Sequence, residues 1–211
     1  MTDFTMTTDA DGITVITWDC AEKSMNVLNW DALRTLDGFI DTVIADEAVK
    51  GAIITSGKKD FAAGMDLNVL ADLRNASGDN PAQGIFDGVM QMHHILRKIE
   101  RAGMDAKTNK GGKPIVSVLP GTALGIGLEI PLATHRIFAA NNPKAKIGLP
   151  EIMVGISRVQ VAQRGWCANW AQWRPPPICL RGKHLHLPRP RVQASLMWSA
   201  MIRCQKRVNS F

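Results

Sequence analysis

The sequence predicts an α/β domain over residues 1–156, followed by a segment of different chemistry. Three observations carry this reading. Short β-branched runs alternate with stretches of helical periodicity through that first part. Of the 211 residues 45% are hydrophobic, enough for one domain with a sizeable core and too many for a disordered or fibrous chain. The charge is divided: residues 1–157 hold 15 Lys+Arg against all 19 acids, a balance of −4, whereas residues 158–211 hold 10 Lys+Arg and no Asp or Glu. The formal net charge of +6 therefore belongs to the tail, and it does not mark the whole chain as a binder of anionic polymers.

The elements follow in order. Ile13–Trp18 reads as a strand from its β-branched content. Trp30–Ala45 places Leu33, Leu36, Phe39, Ile40, Val43 and Ile44 on one helical face. Residues 52–55 are a short buried strand, residues 57–60 a turn, and residues 61–66 lead into a short helix through Leu73. A Gly/Asn/Pro-rich loop is expected over residues 75–84 and a helix over residues 85–99, with Ile85, Val89, Met92, Leu96 and Ile99 on its apolar face. His93 and His94 lie on that helix as neighbours, about 100° apart, and so cannot form an i, i+4 metal pair; no metal is expected. A polar loop spans residues 102–113, and residues 114–119 form the most apolar strand.

That last strand runs into Pro120-Gly-Thr-Ala-Leu-Gly-Ile-Gly-Leu-Glu129. A glycine-rich turn between a buried strand and a helix presents N–H groups that have no intrahelical partner, and these can bind an anion or an oxyanion. Neither GxxxxGK[ST] nor GxGxxG spacing is present, so nucleotide binding is not supported. Pro131 is expected in the first helical turn, where proline is tolerated. Glu129 also falls in that turn, and Glu151 follows 22 residues later after Pro150. Taken singly, each acid has an ordinary explanation, Glu129 as a favourable first-turn charge and Glu151 as a surface acid. The segment Phe61-Ala-Ala-Gly-Met-Asp66 is a second strand-to-helix junction, so two loops can supply N–H groups around one carbonyl oxygen.

Together F-A-A-G-M-D, K-P-I-V-S-V-L-P-G-T-A-L-G-I-G-L-E and K-I-G-L-P-E-I-M-V-G-I resemble the crotonase (enoyl-CoA hydratase) superfamily, most of all the hydratase half of the multifunctional fatty-acid-oxidation α subunit. The resemblance covers residues 10 to 156 or so and implies repeated ββα units that bind acyl-CoA thioesters. Carried over, the oxyanion hole falls on the N–H groups of Met65 and Ile126, and the two catalytic carboxylates fall on Glu129 and Glu151. Ala63, Gly64, Asp66, Gly125 and Gly127 fall on the substrate-binding positions around them. The implied reaction adds water to C3 of a 2-enoyl-CoA and a proton to C2, while the two N–H groups hold the thioester enolate. Coenzyme A is part of the substrate, and no separate cofactor is implied. The family assembles as homo-oligomers, which is the expected state here. One departure stands out: the family has three glycines where this chain has Gly125-Ile126-Gly127, and a Cβ there is expected to narrow the pocket or alter the acyl-chain preference.

After Ile156 the family pattern stops. The tail holds Trp166, Trp170, Trp173 and Trp198, three of the four cysteines in no CxxC spacing, and Pro175-Pro-Pro177. Residues 157–170 can be encoded so that one T restored in front of the Ser157 codon regroups them as F-P-G-A-G-G-T-T-R-L-V-R-K-L-G, close to the family's own continuation. The same regrouping permits Y-L-L-E-G-K and A-G-L-V-D further on, in the family's order. The chain is therefore read as a core, residues 1–156, and a frameshifted tail, residues 157–211, that is expected to pack poorly. Against this stands a genuine basic, Trp-bearing arm for nucleic acid or a membrane surface, which explains the charge but not the reappearing pattern. The N-terminus has no targeting pattern and no apolar run approaches the roughly 18 residues of a membrane span, so a cytoplasmic protein with reduced thiols is expected, without membrane or nucleic-acid partners.

Overall fold

The computed structural model describes residues 2–66, 68–69 and 80–150. Its centre is a five-stranded sheet built from β1 (Phe4–Thr8), β2 (Ile13–Trp18), β4 (Gly51–Ser56), β6 (Ile115–Leu119) and β8 (Arg136–Ala139) in the order β1-β2-β4-β6-β8. β1 and β2 form an antiparallel pair, and every later pairing is parallel. Parallel neighbours need a crossover, and the helices supply it: α1 (Trp30–Ala45) joins β2 to β4, α2 (Pro81–Arg101) joins β4 to β6, and α3 (Ile126–Ala133) joins β6 to β8. Four two-residue strands complete the set: β3 (Val27–Leu28), β5 (Gly64–Met65), β7 (Ala123–Leu124) and β9 (Ile147–Gly148). Long strand, short strand and helix thus recur three times among the described residues, the ββα repeat that the resemblance implied.

The helices form where the chain offers a cap and a stripe. Asn29 caps α1 by accepting the Ala32 N–H at 2.7 Å, and Ala32, Leu33, Leu36, Ile40 and Val43 are buried beneath it, with Phe39 and Ile44 packed half-buried at the margin. α2 begins earlier than expected, at Pro81. The reason is local: the Asn80 side chain accepts from the Gln83 N–H and proline occupies the first helical position, where its missing N–H costs nothing. Met92, Ile95, Leu96 and Ile99 turn its second half into the core, and Lys98 bonds Asp37 at 2.5 Å and Asp41 at 2.9 Å, fastening α2 to α1. Trp18 stacks on Phe4 and meets Phe61 edge-on, with centroids 5.0 and 6.0 Å apart, so the end of β2 anchors the start of the 61–66 segment.

Cys20 lies in this corner, buried, its Sγ 3.7 Å from the Val27 carbonyl. Burial pushes its thiol above the usual range, and the Val27 contact offsets this only in part. Cys20 is therefore expected to resist alkylation at neutral pH until denaturant is added, as read by mass mapping of the Cys20 peptide. Fast labelling of that peptide in native buffer would contradict the packing.

Candidate active site

The two glycine-bearing junctions lie side by side. Ala62 forms a parallel bridge with Ala123, the Ala62 N–H donates to the Thr122 carbonyl at 3.1 Å, and the Leu124 N–H donates to the Ala62 carbonyl at 3.0 Å. Side-chain size enforces the closeness: a Cβ on Gly127 would sit 2.6 Å from the Ala62 Cβ, so only glycine lets α3 approach this loop.

The first junction hangs on Asn26. Its side chain accepts the Cys20 N–H at 2.9 Å and reaches the Trp18 carbonyl, Ser56 Oγ and the Phe61 carbonyl at 2.9 to 3.0 Å, while its own carbonyl accepts the Ala63 N–H at 2.8 Å. The next bond in this direction runs from the Asp66 N–H to the Leu28 carbonyl at 2.9 Å. Between them β5 pairs with β3 in parallel, Gly64 opposite Val27 and Met65 opposite Leu28. Gly64, at φ 116°, and Met65 lie between those two spent donors. Nothing in the sequence reading singled out Asn26, although a polar residue between Met25 and Val27 at the mouth of a strand is the kind of signal that marks such a tie.

In the second junction Gly125, at φ 55°, caps α3, and its N–H donates to the Gly148 carbonyl at 3.1 Å. The Leu128 and Glu129 N–H groups both close on the Gly125 carbonyl, at 2.7 and 3.0 Å. Ile126 and Gly127 precede them and have no carbonyl within the helix to bond. Glu129 is in the first turn, as expected, and 1% exposed; Ile126 is 5% exposed within the main core. The expectation for Pro131 is corrected, because it sits in the second turn and there forfeits a bond to the Gly127 carbonyl. The structure thus gathers Ala63, Gly64, Met65, Asp66, Gly125, Ile126, Gly127 and Glu129 at one place. Glu151, the short helix beyond residue 69 and the whole tail fall outside the described residues.

Asp66 receives Lys23 Nζ at 2.5 Å. This bond, helped by the Asn68 N–H, holds the Asp66 carboxyl below its ordinary 3.8 and raises Lys23. A depressed carboxylate contributes stability that is complete above the unfolded pKa and is lost as pH falls through the folded one. Lys23 is nearly half exposed, so at neutral pH Asp66→Asn is expected to cost no more than about 1 kcal/mol. That cost should fade in unfolding measurements as pH drops below the ordinary 3.8 and through the lower folded value.

Comparison with known proteins gives one direction. Residues 14–158 match the family model described as enoyl-CoA hydratase/isomerase. The fatty acid oxidation complex subunit alpha of Shewanella halifaxensis is 30% identical over 154 residues, 72% of this chain and 20% of that protein. The same subunit from Idiomarina loihiensis is 31% identical over 158 residues, with the same coverage of 72% and 20%. The chain thus spans about a fifth of the length of these relatives. An enoyl-CoA hydratase from Shewanella pealeana shares the fold at TM-score 0.65 and 16% identity, over 82% of this chain and 57% of that one. An enoyl-CoA hydratase/isomerase from Xanthobacter autotrophicus does so at TM-score 0.64 and 18% identity, over 100% and 74%. Among the described residues no helix is long and apolar enough to cross a membrane.

Proposed function

The chain belongs to the enoyl-CoA hydratase/isomerase family, and from that premise we propose that its site adds water across the C2=C3 bond of a 2-enoyl-CoA. The observation that carries this reading is the clasp of the two junctions, which brings the end of β5 at Met65 beside the start of α3 at Ile126 while the flanking N–H groups of Ala63, Asp66 and Gly125 are spent on the scaffold. In this reading the Met65 and Ile126 N–H groups bind the thioester carbonyl, and they bind it more tightly as it becomes an enolate oxygen. Glu129 and Glu151 hold the water between them. One carboxylate accepts its proton as oxygen attacks C3, and C2 then takes a proton from a carboxyl, so that the carboxylates end as they began.

Two supports come from chemistry rather than likeness. Glu129 is a buried acid beside a helix N-terminus, where water exclusion strengthens every charge interaction. The fold also fixes the donors through main chain, so no side-chain rotamer has to be ordered when substrate binds. The test is hydration of crotonyl-CoA, followed as loss of absorbance of the conjugated thioester; a clean preparation with no turnover at high enzyme concentration would reject it for this chain.

A second reading concerns the tail. The family match ends at residue 158, and no acid follows Glu151. We therefore keep the division into a core, residues 1–156, and an out-of-frame tail, residues 157–211. Under it this chain carries much of the site and little of the activity. Salt-sensitive retention on nucleic acid would instead favour a working basic arm, because phosphate contacts release counterions.

A further inference from the structure

We propose that Asp60 is a positioning residue of this site: its carboxylate clamps the second junction onto the first. The proposal rests on the hydratase reading above, and it concerns how the two donor loops stay in register.

Asp60 closes the turn between β4 and the 61–66 segment. Its Oδ1 accepts the Thr122 N–H at 2.6 Å, and its own carbonyl accepts the Ser56 hydroxyl at 2.7 Å. Ser56 Oγ is also a partner of the Asn26 amide at 2.9 Å, so the turn is tied to the same hub that holds the first junction. On the far side the Thr122 carbonyl accepts the N–H groups of Phe61 and Ala62, at 2.8 and 3.1 Å. Both polar groups of the Thr122 main chain are therefore gripped by three consecutive residues of the other loop.

The grip is tight. A Cβ on Gly121 would lie 2.5 Å from the Lys59 carbonyl oxygen and 2.6 Å from Asp60 Oδ1, so the glycine is what lets the two strands of chain close on each other. Four residues beyond Thr122 the chain enters α3 at Ile126. A charge-assisted bond to a main-chain N–H is stronger than a neutral one. Losing it frees one end of a short segment whose other end carries Ile126, and a displacement of about 1 Å at a reacting geometry costs roughly a hundredfold in rate. Asp60 thus acts through Thr122 and Ile126 rather than on the substrate.

The test uses the full 211-residue chain and the variants Asp60→Ala and Asp60→Asn. Native-state amide exchange at Thr122 and Leu124 is expected to speed up about tenfold in Asp60→Ala, and to stay near the parent rate in Asp60→Asn, which keeps an oxygen acceptor. Exchange within α1 should be unchanged in both. Crotonyl-CoA hydration, however slow in this chain, is expected to lose kcat at least tenfold in Asp60→Ala with KM little altered, and to recover in Asp60→Asn. Unchanged exchange in Asp60→Ala overturns the clamp, and so does full parental kcat in Asp60→Ala. Altered exchange in a parent that does not hydrate crotonyl-CoA supports the clamp, and the hydratase reading is rejected only if the in-frame chain is also inactive, so the two failures are separable.

Discussion

Inserting one T ahead of the Ser157 codon is expected to raise crotonyl-CoA hydration by about a hundredfold or more and to make unfolding cooperative in the same step. The expectation starts from composition. A soluble segment mixes charges of both signs, whereas residues 158–211 hold ten Lys+Arg and no acid. A shifted reading frame produces such a segment without any selection on its charge. It also explains why F-P-G-A-G-G-T-T-R-L-V-R-K-L-G returns on regrouping, and why the match to the family model ends at residue 158. In the proposed reading the sequence keeps both Glu129, at the head of α3, and Glu151, so catalytic groups are not what the chain would lack. What the insertion supplies is the family's own continuation after Ile156 and the apolar surface it buries. A few kcal/mol separate a folded domain from a marginal one, and a lost packing segment readily costs that much. Sequencing the encoding DNA checks the premise directly. If the 211-residue chain already unfolds cooperatively and turns over at an ordinary enzyme rate, the frameshift reading fails.

Much of the fold was legible because it is locally encoded. Ile13–Trp18 and Trp30–Ala45 stand where the β-branched run and the 3.6-residue stripe put them, and residues 52–55 lengthen by one residue at each end to Gly51–Ser56. The misses divide by cause. The start of α2 was written in Asn80-Pro81, a cap followed by a first-turn proline, and was hidden only by the Gly/Asn/Pro-rich look of the loop before it. β3, β5, β7 and β9 were not legible at all: two residues carry no periodicity, and β3 with β5 or β7 with β9 pair across more than twenty residues of intervening chain. Those short pairs are what clasp the site. The sequence thus pointed to Met65, Ile126 and Glu129 through family motifs, while the physical reason that they meet, the Ala62–Ala123 bridge and the room left by Gly127, exists only in three dimensions.

The second large effect is expected at Glu129. In the in-frame chain Glu129→Gln should lower kcat for crotonyl-CoA by about a hundredfold to ten-thousandfold, the span that a positioned acid–base group contributes. The substitution keeps the volume of a side chain that is only 1% exposed, so it opens no cavity and leaves the α3 turn its shape. It removes only the capacity to take and return a proton, because an amide oxygen still accepts a hydrogen bond but does not titrate near neutral pH. KM should therefore stay close to the parent value, since the thioester carbonyl is held by main-chain donors in this reading and not by Glu129. Glu151→Gln should give a loss of the same order, and the double variant less than the sum, because two groups that hold one water act as a unit. The control is the unfolding midpoint: the kinetic loss counts as chemistry only where Glu129→Gln unfolds with the parent's cooperativity. A Glu129→Gln enzyme that retains full kcat would leave the buried acid a merely structural first-turn charge, and water activation would have to be sought elsewhere.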